Sequence, residues 1–255
     1  MSYSHTLPQM MTCAMPEGCL RTNPPHLKAV FFDLDDTLVL TGEADLKAYA
    51  DVAALAEERF PNVDVERLLQ AWQLLFVQWP WDITDKVPVE QWRAALWTQA
   101  LAAQGIADAP GGAELQARFR QARLHHFRLE PGAKELVIAL RRSGLATAII
   151  TNGHPEIQRG KLARCGAADL FGALLVGGEE AAAGAGGKPD PRIFHKAARL
   201  VGVQPCEAVM IGDSLSADIQ GAQNAGLAAS VWVNRGGQAR PPQAPEPSEE
   251  GAKEA

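Results

Sequence analysis

Lys28-Ala29-Val30-Phe31-Phe32-Asp33-Leu34-Asp35-Asp36-Thr37-Leu38 is the stretch on which the fold turns. Its opening is a short apolar run that ends in a carboxylate, which predicts a buried strand over 28–33. A continuous apolar strand belongs in a parallel sheet covered on both faces. The carboxylate at its C-terminal end then lies where open α/β sheets place their ligands.

Outward from that strand, similar runs predict strands over 146–151, 173–176, 208–212 and 229–233. Helical patterns fall between them at about 132–143, 155–165, 191–202 and 216–225. Gly166, Gly202 and Gly226 stand where the C′ glycine of the last three helices belongs. The alternation implies βαβ units, and so an α/β protein: a Rossmann-like doubly wound parallel sheet over 27–42 and 129–235. One interval breaks the rhythm. Residues 43–128 are helix-like by period, with Leu68, Leu69, Trp72, Leu75 and Phe76 on one face, and predict an inserted helical cap. Five of the six tryptophans lie there: Trp72, Trp79, Trp81, Trp92 and Trp97. They suit the packing of a small bundle, while Trp79 or Trp81, in a Pro-containing turn, could face a ligand. Residues 1–26 and 236–255 lack a periodic apolar face and are expected to be disordered.

Composition bounds the function. A chain of 255 residues, 47% apolar and 21% charged, suits a globular protein, and its apolar runs are too short for a bilayer span. The net charge of −6 offers no basic footprint for nucleic acid or an anionic membrane, so the expected partner is a small molecule. Cys13, Cys19, Cys165 and Cys206 form no C-x-x-C pair and read as free thiols; with no signal peptide or transit helix visible, the cytoplasm is the expected compartment. The Gly-rich segment 181–187 precedes Lys188 but is no P-loop, because Ala182 and Pro189 stand where Walker A needs Gly and Ser or Thr. Neither a dinucleotide fingerprint nor a serine-hydrolase elbow occurs.

The chemistry-bearing residues gather at strand ends. Asp33 and Asp35, two apart in extended chain, point the same way and can converge; two close carboxylates call for a cation between them or a retained proton. Thr151-Asn152-Gly153 offers a hydroxyl, an amide and an accessible backbone N–H. Lys188 adds a fixed positive charge, and Gly212-Asp213-Ser214 with Asp218 adds further carboxylates. Singly these are helix caps, turns and surface groups; four in this order, each after a strand, are not.

The four segments resemble the motifs of the haloacid dehalogenase-like hydrolase superfamily. They are Asp33 to Leu38, Thr151-Asn152, Lys188-Pro189 and Gly212 to Asp218. The resemblance implies that Asp33 attacks phosphorus to give an aspartyl-phosphate, and that Asp35 protonates the leaving alcohol and then activates water. It implies Mg²⁺ held by Asp33, Asp213 and the carbonyl of Asp35, with Asp218 and Ser214 in support. Leu34, Asp35, Thr151, Asn152, Gly153 and Lys188 would meet the phosphoryl group. Dehalogenases of the superfamily look different at the second position, where a halide needs no acid; Asp35 favours a phosphatase.

Within the superfamily, Val176 to Glu180, Leu200 to Pro205, Asp218 to Leu227 and the cap exit Arg123-Leu124-His125-His126 resemble the N-acylneuraminate-9-phosphatase family. Nucleoside 5′-monophosphatases are the next resemblance. Other small-metabolite phosphatases (phosphoglycolate-like), a 2-haloacid dehalogenase and a non-catalytic binding module are the remaining alternatives. Arg118, Arg120, Arg123, His125, His126 and Arg128 line the cap exit. Most suit a solvated helix face, whereas Arg123 and His126, which match the family, are the candidates for substrate contact.

Overall fold

The computed structural model describes residues 9–12, 26–81 and 86–235. The tail 236–255, Cys13 and Cys19 lie outside the described residues, as does most of the expected N-terminal extension. Part of that extension departs from expectation. Gln9–Thr12 forms an edge strand, β1, antiparallel to the last strand, β6 (Ala229–Trp232), with Gln9 opposite Trp232 and Thr12 opposite Ala229.

The remaining strands are β2 (Ala29–Phe32), β3 (Ala146–Thr151), β4 (Ala173–Val176) and β5 (Ala208–Gly212), and the sheet order is β1-β6-β5-β2-β3-β4. The five strands β2 to β6 are parallel. The chain winds outward from β2 through β3 and β4 to one edge, then returns to β5 and β6 on the other side, as a doubly wound sheet does. Phe32 is level with Ile149 on one neighbour and Ile211 on the other, so the residues after all three strands emerge side by side.

Each residue of β2 is buried, as a central parallel strand requires. Its side chains alternate between faces: Phe31 packs with Ile150, Phe194 and Met210, while Phe32 packs with Ile149, Val137 and Leu162. These two layers are supplied by α8 (Pro191–Val201) on one side and by α5 (Ala133–Arg142) and α6 (Pro155–Arg164) on the other. Gly166, Gly202 and Gly226 all take positive φ, 61°, 75° and 67°, at the helix exits where the sequence places C′ glycines. A short helix, α7 (Gly177–Ala182), takes in Ala181 and Ala182, the start of the Gly-rich segment 181–187. After β5 comes a turn of π-helix, Leu215–Gln220, then α9 (Gly221–Asn224).

Between β2 and α5 stand the four cap helices: α1 (Thr41–Arg59), α2 (Val65–Gln78), α3 (Val89–Ala102) and α4 (Ala109–His126). They have a core of their own, with Trp72 stacked on Trp97 at 4.8 Å and Phe119 against both. Chain enters and leaves the cap through a short antiparallel contact, Leu40 N–H to Arg128 O at 3.1 Å and Glu130 N–H to Leu38 O at 2.8 Å. Among the described residues no helix is long and apolar enough to cross a membrane.

Candidate active site

β2 delivers Asp33 into the cleft at the sheet's C-terminal end, and the next residues turn sharply. Asp36 adopts φ 52°, the left-handed region that Asp tolerates better than most, and its N–H bonds Val39 O at 2.8 Å. The first turn of α1 is thereby folded back over the strand end, which carries Thr41 to Asp35.

Asp33 and Asp35 are neighbours but have different partners. Asp33 is buried and accepts from Lys188 Nζ at 2.5 Å; the same ammonium group donates to Asp218 at 2.6 Å. Asp35 accepts from Thr41 Oγ1, from Gln158 Nε2 at 2.7 Å and from Lys161 Nζ. The two carboxylates therefore do not converge on one point, as their spacing alone suggests.

Burial pushes the Asp33 carboxyl up, to about 7, against the pull of Lys188 and with the push of Asp218 and Asp35. Burial acts on Asp35 too, but Lys161, with bonds from Thr41 and Gln158, outweighs it and holds that carboxyl below its usual range. Lys188 shows the same balance from the other side: burial lowers it, and Asp33 with Asp218 more than restore it.

Asp213, at the end of β5, is half-buried and raised to about 6, first by burial and then by Asp218 and Asp36. Asp33, Asp213 and Asp218 each bring a carboxylate oxygen within 4.8 Å of the other two, a group able to hold a cation. Asp218 already uses both oxygens, one on Lys188 and one on the Ser214 N–H at 3.0 Å. The hard oxygen donors and the surplus of carboxylates over ammonium groups suit Mg²⁺.

Lys188 is fixed by its own backbone. Its N–H donates to Asn152 Oδ1 at 2.9 Å and its carbonyl accepts from Asn152 Nδ2 at 2.8 Å, so the ends of β3 and of the 183–187 loop are clamped together. The Asn152 side chain thus holds Lys188 by both of its polar atoms. The clamp needs glycine on both sides: a Cβ on Gly177 or on Gly187 would lie 2.6 Å from Asn152 Oδ1. Thr151 is fully buried, with its hydroxyl accepting from Gln158 at 2.6 Å. Gly153 takes φ 109°, Leu34 is buried with its carbonyl bonded by Leu38 and Val39, and Ser214 caps the π-turn through Ala217 N–H.

The cap candidates fare differently. Arg123 is buried, ion-paired with Asp45 and laid over the Phe119 and Phe127 rings at 5.3 and 5.2 Å, so its charge is already satisfied. His126 packs edge-on against His125. Trp79 is exposed, while Trp81 meets the His154 ring at 4.2 Å across the seam between cap and core. Sequence reading missed Thr41, Gln158 and Lys161.

A family model for haloacid dehalogenase-like hydrolases matches residues 27–226. The chain is a haloacid dehalogenase-like hydrolase. It is 34% identical over 225 residues to the N-acylneuraminate-9-phosphatase of Rattus norvegicus, covering 83% of this chain and 84% of the relative. It is 40% identical over 152 residues to the phosphoserine phosphatase of Thermus thermophilus, covering 60% and 58%. Among solved structures, the 2-haloacid dehalogenase from Pseudomonas syringae superposes with a TM-score of 0.60 at 30% identity, covering 85% and 90%. With such relatives, this haloacid dehalogenase-like hydrolase is an enzyme of the phosphatase kind.

Proposed function

We propose that the enzyme hydrolyses small phosphomonoesters through an aspartyl-phosphate on Asp33, with Mg²⁺ as cofactor, and that its substrate is a sugar phosphate of the N-acylneuraminate 9-phosphate kind. The observation that supports this chemistry is the division of partners between Asp33 and Asp35. One carboxylate sits with Lys188 and the acidic group, and the other sits in a separate set of donors two residues on.

Asp33 attacks phosphorus while the bond to the leaving oxygen breaks, and Asp35 supplies the proton to that oxygen. Asp35 then takes a proton from a water whose oxygen attacks the same phosphorus, releasing phosphate and restoring Asp33. Lys161 keeps Asp35 ionised in the free enzyme, the state suited to the second half. A phosphate dianion arriving beside Asp33 raises the proton affinity of Asp35, as the first half needs. Lys188, Thr151 and the backbone N–H groups of Leu34, Asn152 and Gly153 meet the phosphoryl oxygens, where charge neutralisation does most for phosphoryl transfer. Mg²⁺ held by Asp33, Asp213 and the Asp35 carbonyl, with Asp218 and Ser214 behind, would offset the negative charge a phosphate adds. The chain shares its fold with dehalogenases, but a halide leaving group gives Asp35 nothing to protonate.

The test is a screen of the purified protein with Mg²⁺ against sugar phosphates, nucleotides and phosphoglycolate. N-acylneuraminate 9-phosphate should lead, excess chelator should abolish turnover, and Asp33→Asn should lose at least about 10³-fold with an unchanged circular dichroism spectrum. Activity that survives in Asp33→Asn would sink the covalent route; a preference for nucleotides would overturn the substrate.

A further inference from the structure

A cavity of about 160 Å³ opens between α3, α4 and α6, on the seam of cap and core. Its charged lining is Arg93, Arg120 and Arg123 with Glu90 and Glu156. Two of the three arginines are matched: Arg123 by Asp45, and Arg120 by Glu90 at 3.5 Å and Glu156 at 3.9 Å. Arg93 is not. It is 8% exposed, no carboxylate lies within ion-pair distance of it among the described residues, and its Nε–H is buried without a hydrogen-bond partner.

Burial, and then the nearby charge of Arg123, lower the Arg93 group to about 10 against the pull of Glu90 and Asp45, neither of which reaches ion-pair distance; a buried guanidinium whose Nε–H lacks an acceptor is costly. The Arg93 guanidinium lies over the Phe76 ring at 5.7 Å and also lines the cavity. Two contacts link the cavity's lining to the reaction centre. Phe127, in its lining, carries the Lys161 ammonium over its ring at 5.7 Å, and that ammonium bonds Asp35.

We propose that this cavity is a carboxylate subsite, in which Arg93 receives an acid group on the part of the substrate remote from the phosphoryl group. Arg93 is the arginine of the lining with no carboxylate at ion-pair distance among the described residues, and its planar guanidinium fork matches a carboxylate. At roughly 30 Å³ per water-sized group, the volume takes on the order of five such groups, a carboxylate with its neighbouring atoms. The proposal deepens the sugar-acid phosphate reading above and rests on it for the choice of substrate.

The first measurement compares wild type with Arg93→Gln on N-acylneuraminate 9-phosphate, a neutral sugar phosphate and p-nitrophenyl phosphate. Arg93→Gln should lower kcat/KM at least tenfold on the acid-bearing substrate and less than twofold on the other two. Equal loss on all three overturns the subsite. Since a buried arginine also supports the cap, Gly160→Leu is the second variant. A Cβ at Gly160 meets no atom within 4 Å, so this change enters the cavity from the α6 side with the Arg93 side chain still present, and should reproduce the selective loss.

The third measurement separates the subsite from the assigned substrate. With wild type and p-nitrophenyl phosphate, unphosphorylated N-acylneuraminate should inhibit competitively and at least tenfold more tightly than its methyl ester. Equal inhibition by acid and ester overturns the subsite whatever the enzyme's preferred phosphate. Acid-selective inhibition that Arg93→Gln removes supports it even if the screen names another substrate.

Discussion

Lys188 and Arg93 are both buried cations, 6% and 8% exposed, and they behave in opposite ways. Lys188 lies between Asp33 and Asp218, and its ammonium is held above the usual lysine range in spite of its burial. Arg93 has no such pair among the described residues and is held below the usual arginine range. The core is thus assembled before substrate arrives, with its donors fixed by backbone contacts, as electrostatic catalysis requires. In the reading proposed above, chemistry sits in the core and selectivity in the cap, so changes to each should fail in different ways.

Among changes that leave the reacting side chains in place, the largest effect should come from Gly187→Val, in the core. Its Cβ would press within 2.6 Å of Asn152 Oδ1, and the Asn152 side chain holds both the N–H and the carbonyl of Lys188. Either the clamp opens or the loop moves, and the Lys188 ammonium shifts from Asp33 in both cases. Turnover should fall at least about 100-fold on every substrate, the scale at which a misplaced group costs an enzyme. Overpacking of about 1–3 kcal/mol should lower Tm by roughly 3–10 °C. A loss confined to one substrate would break the division between core and cap.

How much of this the sequence shows depends on how local the interaction is. Asp33, Thr151 and Asp213 are legible because each closes or follows a short apolar run, and parallel register alone brings their strand ends together; Lys188, beyond the Gly-rich 183–187 loop, is legible only from the order of the motifs. The glycines Gly166, Gly202 and Gly226 are legible because a helix exit needs their positive φ at that place. The set around Asp35 is another matter. Gln158 and Lys161 lie 123 and 126 residues from it. Their spacing of three puts both on one face of α6, yet only packing shows that this face meets β2. Edge strand β1 is illegible for a similar reason, since Gln-Met-Met-Thr has little β-propensity of its own and pairs because β6 offers it an edge. Arg123 reads as a substrate anchor because the sequence does not show Asp45 beneath it.

Arg123→Ala sharpens the comparison at intermediate size. The change leaves Asp45 without its partner and strips packing from Phe119 and Phe127. With Asp45 partly solvated, a cost of about 2 kcal/mol is reasonable, or a Tm lower by roughly 4–8 °C. Activity should fall by a similar factor on acid-bearing and neutral phosphates alike. If Arg123→Ala instead keeps its Tm and loses only the acid-bearing substrate, its guanidinium meets the ligand, and the contrast drawn between Arg123 and Arg93 is wrong.

The smallest effect is the reversal of charge cost in the core when no divalent cation is present. Asp213, near 6 in the fold and close to 4 when unfolded, binds its proton more tightly in the native state. Its favourable contribution is therefore whole below pH 4 and is lost as pH rises through 6. At pH 8 in chelator the wild type carries an ionised Asp213 facing Asp218 and Asp36, and Asp213→Asn removes that repulsion. The variant should melt about 1–3 °C higher there, a figure kept low because the group is half-solvated. The gain should shrink between pH 6 and 4 and vanish below. Added Mg²⁺ should raise the wild-type Tm at pH 8 and leave the variant nearly unmoved, which inverts their order. A variant that melts lower than wild type at pH 8 in chelator would mean that Asp213 is stabilised by its surroundings. The core would then be complete without a cation, and the contrast with the cap would have to be drawn from Lys188 alone.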